Sequence, residues 1–394
     1  MKKLTQTRPR LPQNLARPRA APTFVSLKNY GMETAATSAP GAKAPAIDMA
    51  RMEQFLNRVV GDFGSSLGIT LSFIGDKLGL YKAMAFAGPV TAAALAKKTG
   101  TTERYVREWL INQAAGGYIE FNEKDGTYQL PDEHAVALTD EDSPFYVAGG
   151  FQVISSMQKA EERITDLFQS GEGMLWGEHH HGLFEGTERF FRPGYNGNLV
   201  SQWLPALEGV VQKLEKGATV ADIGCGHGVS TLIMARAFPK SDFTGYDNHV
   251  PSVERANELA GKEGLKNAHF DVSSAQKFPK RTYDLVAYFD CLHDMGDPVG
   301  AMQHAFESLK DDGTVMLVEP MAGRKAGENL NPVGRVYSGA SVLCCSPNAM
   351  ASGGYVLGTV ASDDALQEVC KKAGFTRFRR AAETPFNRVF DVRK

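Results

Sequence analysis

The stretch that decides the fold reads Ala218-Thr219-Val220-Ala221-Asp222-Ile223-Gly224-Cys225-Gly226-His227-Gly228. Its apolar first half predicts a buried strand, and residues 229–238 continue with a helical pattern. The glycines between them let the backbone turn tightly and approach a ligand closely. We therefore predict a strand–turn–helix unit with a ligand at the carboxyl end of the strand.

Outward from this stretch, strand and helix patterns alternate. Strands are predicted at residues 218–223, 242–246, 268–271, 284–289 and 314–318, with helices at 229–238, 250–260 and 298–309. A helix at 363–373 and strands at 377–381 and 388–392 end the chain. This alternation predicts an α/β fold with a doubly wound parallel sheet, whose ligands bind at the carboxyl ends of the strands.

The spacing of the glycines separates two cofactor classes. A nicotinamide or flavin site has the pattern G-x-G-x-x-G/A, whereas here Val229 stands at the last position and Gly228 comes one residue early. The charge of Asp222 would repel a pyrophosphate but suits an ammonium group. S-adenosylmethionine carries an ammonium and a sulfonium, so the pattern favours this cofactor. The dinucleotide site is the alternative.

Other cofactor contacts are predicted from the same edge of the sheet. Asp247 ends the second strand, where it can accept hydrogen bonds from both ribose hydroxyls, a feature common to both cofactor classes. Asp271 ends the third strand and can accept from the adenine amino group. The predicted cofactor set comprises Asp222, Gly224, Cys225, Gly226, Gly228, Asp247, Asn248, Asp271, Val272 and Phe289.

The N-terminal half has a different organisation. Residues 1–45 are predicted to form a disordered basic tail: an organellar presequence, a plain extension, or the product of a start codon placed before Met32 or Met49. Helical patterns at 46–84, 89–96 and 103–115 precede a hairpin formed by 118–121 and 127–130, which together make a winged-helix pattern at 46–145. Linker and lid helices are predicted at 146–215, before the catalytic domain at 216–394.

The quoted motifs, together with the D-C-L-H-D-M-G-D-P stretch that begins at Asp290, resemble class I S-adenosylmethionine-dependent methyltransferases. With the winged helix, the chain is similar to bacterial, notably actinobacterial, small-molecule methyltransferases. The resemblance covers about residues 52–394 and implies a seven-stranded sheet whose last strand is antiparallel. It also implies that the winged helix forms a homodimer and helps to close the active site.

The same resemblance suggests catalytic residues. His293 corresponds to the general base of plant-type phenolic O-methyltransferases, and Glu319 to the acid that accompanies it. A structural or substrate-orienting role for His293 is the alternative, since a carboxylate acceptor needs no base. Candidate substrate contacts are Trp176, His180, Tyr195, Arg335 and Tyr337, among which Arg335 is suited to a carboxylate or to a structural ion pair.

Composition argues against several other classes. The net charge of -2 and the mixed charges of residues 103–115 disfavour nucleic acid as a partner and a DNA-binding regulator as the function. No apolar run reaches the ~18 residues of a membrane span. Five cysteines without C-x-x-C spacing suggest reduced thiols in the cytoplasm. No metal site is predicted, because adjacent histidines at 179–181 point in different directions.

Overall fold

The computed structural model describes residues 47–280 and 282–394, so the predicted tail at 1–45 lies outside the described residues. The chain divides into two compact units, at Leu67 and Gly68. The described part of the first unit, residues 47–67, lies almost entirely in helix α1 (Met49–Lys77). Along this part of α1, large apolar side chains at helical spacing are exposed: Met52, Phe55, Val60, Phe63 and Leu67.

The second unit begins with the helices and hairpin of the predicted winged helix. Its elements are α2 (Leu80–Met84), α3 (Ala92–Thr99), α4 (Glu103–Ala115), β1 (Glu120–Asn122), β2 (Thr127–Gln129) and α5 (Asp132–Thr139). The prediction that a helix spans 89–96 was wrong at its start. Thr91 caps α3 by accepting a hydrogen bond from the Ala94 amide, while Val90 pairs with Tyr128 of the hairpin. Because Val90 is paired with the hairpin and Thr91 is the N-cap, the helix begins at Ala92.

Five helices connect this region to the sheet. They are α6 (Ala148–Met157), α7 (Glu161–Ser170), α8 (Gly182–Asn198), α9 (Leu204–Ala206) and α10 (Val210–Lys216). Helix α8 packs closely on α6, since a Cβ atom at Gly149 would lie 2.6 Å from the backbone of Arg189. The Arg189 guanidinium also donates to Asp76, with an N–O distance of 2.8 Å. These contacts fix the position of α8, which is the helix that covers the candidate site described below.

The remaining elements form a seven-stranded sheet with flanking helices. The strands are β3 (Thr219–Ile223), β4 (Asp242–Asp247), β5 (Ala268–Val272), β6 (Tyr283–Phe289), β7 (Leu309–Pro320), β8 (Arg377–Glu383) and β9 (Asn387–Arg393). The helices are α11 (Val229–Ala237), α12 (Val250–Glu263), α13 (Pro298–Ser308), α14 (Pro332–Ala340), α15 (Ser346–Ser352) and α16 (Asp363–Lys372). The strand order is β5-β4-β3-β6-β7-β9-β8. The last strand, β9, is antiparallel to both neighbours, which confirms the predicted fold class.

Alternate residues of the central strands enter two separate cores. On β6, Leu285 and Ala287 join one apolar cluster, while Val286 and Tyr288 join the cluster on the other face. This alternation follows from the two-residue period of a strand and explains why the central strands are apolar throughout. The chain order reverses between β3 and β6, so a crevice opens at their carboxyl ends.

Two further predictions concern the environment of the chain. None of the helices in the described ranges is long and apolar enough to cross a membrane. All five cysteines are free thiols, and four of them are buried. The cytoplasmic location itself stays a prediction.

Candidate functional site

A cavity of about 590 Å³ lies at the carboxyl ends of β3, β4 and β6. Helix α8 and the segment before it cover one side with aromatic side chains, among them Trp176, Phe184, Phe191 and Tyr195. The opposite wall is the glycine-containing turn between β3 and α11. A volume of this size and a largely apolar lining with a few polar groups are typical of small-molecule sites.

The glycines of this turn have conformations that other residues adopt rarely. Gly224 has a φ of 69° and Gly228 a φ of 79°. A Cβ atom at Gly224 would lie 2.8 Å from the Cys291 sulfur, and one at Gly228 would lie 2.5 Å from the Phe270 ring. Gly224, Cys225 and Gly226 border the cavity, whereas Gly228 packs behind the turn. The backbone of the turn is therefore open to a ligand.

Asp247 connects the end of β4 to this turn. Its carboxylate accepts hydrogen bonds from the backbone amides of Gly226, at 2.9 Å, and His249, at 2.8 Å. Burial raises the pKa of Asp247. Asp247 borders the cavity together with Asn248, and Phe289 borders it from the end of β6. The structure thus brings these three predicted cofactor contacts together around one cavity.

Asp222 is oriented differently. Only 1% of its surface is exposed, and one carboxylate oxygen accepts from the hydroxyls of Ser230 and Thr231, both at 2.6 Å. The other oxygen has no hydrogen-bond partner. Burial raises the pKa of this carboxyl to about 6. Asp222 is not part of the cavity wall, so its contact with an ammonium group stays a prediction.

Two predicted adenine contacts lie away from the cavity wall. Asp271 and Val272 are exposed at the end of β5, and the wall is formed instead by the next residues, 273–276. β5 is the edge strand, so the side chains at its end have a neighbouring strand on one side only, and both Asp271 and Val272 are exposed. The structure therefore favours the segment that follows β5, which includes Ser273 and Ser274, over Asp271 and Val272.

His293 and Glu319 meet at the carboxyl ends of adjacent strands. The His293 Nδ1 atom donates to a Glu319 carboxylate oxygen at 2.7 Å, and the His293 backbone amide donates to the other oxygen at 3.3 Å. Both side chains are buried. Burial lowers the pKa of His293, but Glu319 outweighs it, and the pKa lies well above its usual value. Neither residue is on the cavity wall, although Cys291 and Asp294 on either side of His293 are.

Within the described ranges, one group of potential metal ligands has suitable spacing. The ligand atoms of His293, Asp294 and Cys345 lie within 4.8 Å of one another. The histidines at 179–181 are not part of it. His179 is buried without a hydrogen-bond partner for either ring nitrogen, while His180 accepts from the Gly182 amide at 3.0 Å and lies 3.0 Å from the Lys159 amine.

The predicted substrate contacts divide into two groups. Trp176 and Tyr195 border the cavity, whereas His180, Arg335 and Tyr337 do not. The Tyr337 hydroxyl donates to the Phe386 carbonyl at 2.8 Å, and Arg335 lies on α14. The structure therefore does not place Arg335 where it would meet a carboxylate in this cavity. The cause is the packing of α14 against other parts of the chain, which local sequence does not reveal.

Among the wall residues that the sequence-based set lacks, Asp290 and Glu188 carry charged side chains with defined partners. Asp290 follows β6 and has a φ of 51°. Glu188 of α8 accepts from His227 Nδ1 at 2.7 Å and so connects the covering helix to the glycine turn. Asp290 stood in the D-C-L-H-D-M-G-D-P motif, whereas nothing in the local sequence marks Glu188.

Comparison with known proteins agrees with this arrangement. Residues 214–372 match a family described as "Methyltransferase domain", and residues 65–140 match the "Rv2258c-like winged HTH domain". The family match and the fold define the class: residues 214–372 form a class I, S-adenosylmethionine-dependent methyltransferase domain. The chain combines that domain with an N-terminal winged helix of the Rv2258c-like type.

The individual relatives are distant. The chain is 26% identical over 180 residues to a 2-methyl-6-phytyl-1,4-hydroquinone methyltransferase of Synechocystis sp., covering 44% of this chain and 53% of that protein. Across the curated relatives it matches, the chain spans between 5% and 53% of their length.

Many solved structures resemble this chain over most of its length, and two of them serve as examples. The mitomycin 7-O-methyltransferase MmcR superposes with a TM-score of 0.65 at 19% identity, covering 88% of this chain and all of that one. Human N-acetylserotonin methyltransferase, solved in complex with S-adenosylmethionine, superposes with a TM-score of 0.66 at 16% identity, covering 89% of this chain and 99% of that one. At these identities the resemblance concerns the fold.

Proposed function

We propose that this protein transfers a methyl group from S-adenosylmethionine to an oxygen of a small metabolite bearing a hydroxyl or a carboxylate. The observation that carries the proposal is the His293–Glu319 pair beside the cavity. A buried carboxylate that accepts from one imidazole nitrogen fixes the tautomer and orientation of the ring, as a base for a hydroxyl acceptor requires. The named O-methyltransferases with similar folds also support this proposal.

The cavity fits the cofactor. The open backbone at Gly224 and Gly226 would hold its amino-acid end, and Asp247 with Asn248 would hold the ribose. Phe289 would pack against the adenosine or the sulfonium side. When bound, S-adenosylmethionine supplies an electrophilic methyl group.

The protein residues contribute position and proton transfer. The aromatic side chains before and on α8 exclude water and hold the acceptor against the glycine turn. His293 would take the hydroxyl proton while Glu319 stabilises the resulting imidazolium. Because His293 lies behind the cavity wall and also contacts Cys345, the base role requires the wall residues beside it, Cys291 and Asp294, to give the acceptor access to the ring. Such tightening between free enzyme and substrate complex is common for catalytic hydrogen bonds.

The winged helix supports a dimerisation role better than DNA binding. On α4, Arg104 pairs with Glu108 at 3.0 Å, and Arg107 pairs with Glu103. These pairs neutralise the guanidinium groups that phosphate binding would need. The exposed apolar side chains of α1 are suited to a second copy of the chain. A homodimer in the cytoplasm is accordingly part of the proposal.

A transfer assay tests the proposed function. Purified protein would be incubated with S-adenosylmethionine carrying a labelled methyl group and with phenols, carboxylic acids and amines. We expect label in oxygen-linked methyl products. The alternative within this class is methylation at nitrogen or carbon, and label found only on one of those atoms would replace O-methylation with it. Binding of NAD without any response to S-adenosylhomocysteine would contradict the cofactor assignment itself.

A further inference from the structure

Asp290 occupies an unusual position at the end of β6. It borders the cavity between Phe289 and Cys291, and its φ of 51° lies in the left-handed region. Non-glycine residues adopt this conformation at a cost and only when the surroundings enforce it. Here the Asp290 amide donates to the Val318 carbonyl at 2.8 Å, which fixes the backbone. The chain thus holds a carboxylate at the mouth of the crevice.

Two distant side chains orient this carboxylate. The Tyr195 hydroxyl of α8 donates to Oδ2 at 3.0 Å, and the Asn387 amide of β9 donates to Oδ1 at 2.8 Å. Each carboxylate oxygen accepts more than one hydrogen bond, so capacity remains for a ligand. Burial and the neighbouring Glu319 raise the pKa of Asp290 to about 7, against the opposite effects of His293 and the two donors. The carboxyl group is therefore held rigidly, and above about pH 7 it is mainly an ionised hydrogen-bond acceptor.

The charges around the cavity have one sign. Its wall contains the carboxylates of Glu178, Glu188, Asp247, Asp290 and Asp294, and no lysine or arginine of the described ranges borders it. Burial lowers the pKa of the two wall histidines, His227 and His249, which favours their neutral form. Glu188 is occupied by His227 and Arg192, Asp247 by backbone amides, and Glu178 accepts from the Leu175 amide at 2.6 Å. Asp290 and Asp294 remain at the end of β6. The positively charged cofactor is compatible with this wall, whereas an anionic acceptor would meet like charge from the protein without a lysine or arginine of the wall to pair with.

We infer that Asp290 is a specificity-determining residue that accepts a hydrogen bond from the methyl acceptor, selecting neutral or cationic molecules with a hydroxyl or ammonium group and rejecting carboxylates. The inference rests on the proposed function and narrows its substrate class. A carboxylate acceptor would place two like charges together and leave Asp290 without its donor, and both effects reduce binding.

Ligand binding to the complex with S-adenosylhomocysteine tests this inference directly. Matched sets of phenols, benzylamines and benzoates with the same ring substituents would be titrated by ligand-observed NMR. We expect the phenols or benzylamines to bind at least ~10-fold more tightly than the benzoates. In Asp290→Asn that ratio should shrink by ~10-fold or more. The control Asp311→Asn removes an exposed carboxylate at the other end of the sheet and should leave the ratio unchanged.

Asparagine tolerates the left-handed backbone, so the variant is expected to fold, and its affinity for S-adenosylhomocysteine checks this. Benzoates that bind the wild type as well as their matched phenols and amines would overturn the inference. So would an unchanged ratio in Asp290→Asn. Because binding is measured without methyl transfer, a protein that prefers phenols but never methylates an oxygen contradicts the proposed function and leaves the role of Asp290 standing.

Discussion

Glu319 holds His293 with both of its carboxylate oxygens, one on the ring nitrogen at 2.7 Å and one on the backbone amide at 3.3 Å. The two residues are 26 positions apart in the chain but lie at the carboxyl ends of adjacent parallel strands, His293 in the turn that follows β6 and Glu319 near the end of β7. Since each contact restricts a different degree of freedom, the imidazole has a defined position and tautomer. The first two predictions follow from this relationship.

Removing the imidazole should affect turnover and not cofactor binding. If the acceptor is a hydroxyl, His293→Ala should lower kcat by roughly 10²–10⁴-fold, the usual contribution of a positioned base. Affinity for S-adenosylhomocysteine, measured by calorimetry, should change little. His269→Ala, which removes an exposed histidine on β5, is the matched control. Near-full activity of His293→Ala on the physiological acceptor would remove the general-base assignment.

The pH dependence of turnover should report the pair. Glu319 holds the pKa of His293 well above its ordinary value of ~6.5. The neutral imidazole, which is the form that acts as a base, is therefore available only at a pH near or above this raised pKa. In the wild type, activity on a hydroxyl acceptor should therefore rise with pH, and the midpoint of this rise should lie above pH ~6.5. Glu319→Gln removes the carboxylate charge, so burial has the larger effect on the pKa of His293 and lowers it. The midpoint of the rise in activity should then move to lower pH. Rate–pH profiles of the two proteins check this. An unchanged midpoint in Glu319→Gln would show that Glu319 does not set the pKa that controls turnover.

Asp247 should support cofactor binding by two routes. Its carboxylate is predicted to bind the ribose, and in the structure it accepts from the amides of Gly226 and His249. Asp247→Ala should weaken binding of S-adenosylhomocysteine by roughly 1.5–3 kcal/mol. Asp242→Ala, at the other end of β4, should have little effect. Calorimetry showing equal affinities for wild type and Asp247→Ala would contradict the assigned cofactor position.

Asp222 should make the unliganded protein less stable as pH rises. Burial raises its folded pKa from 3.8 to about 6, so the unfolded chain ionises first. Stability is then highest below pH ~4, falls between ~4 and ~6, and stays reduced by up to about 3 kcal/mol above that window. Asp222→Asn can still accept from Ser230 and Thr231 but does not ionise. Relative to wild type, it should gain stability at pH 8 and not at pH 4.

Chemical denaturation at the two pH values measures this difference. A gain of equal size at both would show that ionisation of Asp222 is not responsible. A loss at both would show that the carboxylate itself is needed for packing around α11.

The apolar side chains of α1 should mediate self-association. Phe55 is 58% exposed and Phe63 is 64% exposed, two turns apart on one face of the helix. Replacing both with glutamate should convert a dimer into a monomer in light scattering, because charge cannot be buried in an apolar interface. Ser65→Glu adds a charge on the opposite face and should preserve the dimer. A monomeric wild type, or salt-sensitive binding to duplex DNA at sub-micromolar affinity, would contradict the dimerisation role.

Local patterns determined most of the fold. The run from Ala218 to Gly228 predicts strand, turn and helix from neighbouring residues alone, because a strand buried on both faces is apolar throughout and only glycine adopts the required backbone angles freely. The α/β alternation then fixes a parallel sheet and the edge where ligands bind. The resemblance supplied the antiparallel last strand, and the structure has it in β9. For the same reason Asp247 and Phe289, which end strands beside that edge, could be placed beside the cavity.

The tertiary structure decided which side chains face the cavity. Asp290 depends on Tyr195 and Asn387, which are 95 and 97 positions away, and no local pattern encodes such partners. The distance of Arg335 from the cavity likewise follows from how α14 packs, and the outward direction of Asp271 from the edge position of β5. Sequence periodicity fixes the face on which a residue lies, but the orientation of a side chain at a strand end is set by long-range contacts that form only in the folded chain.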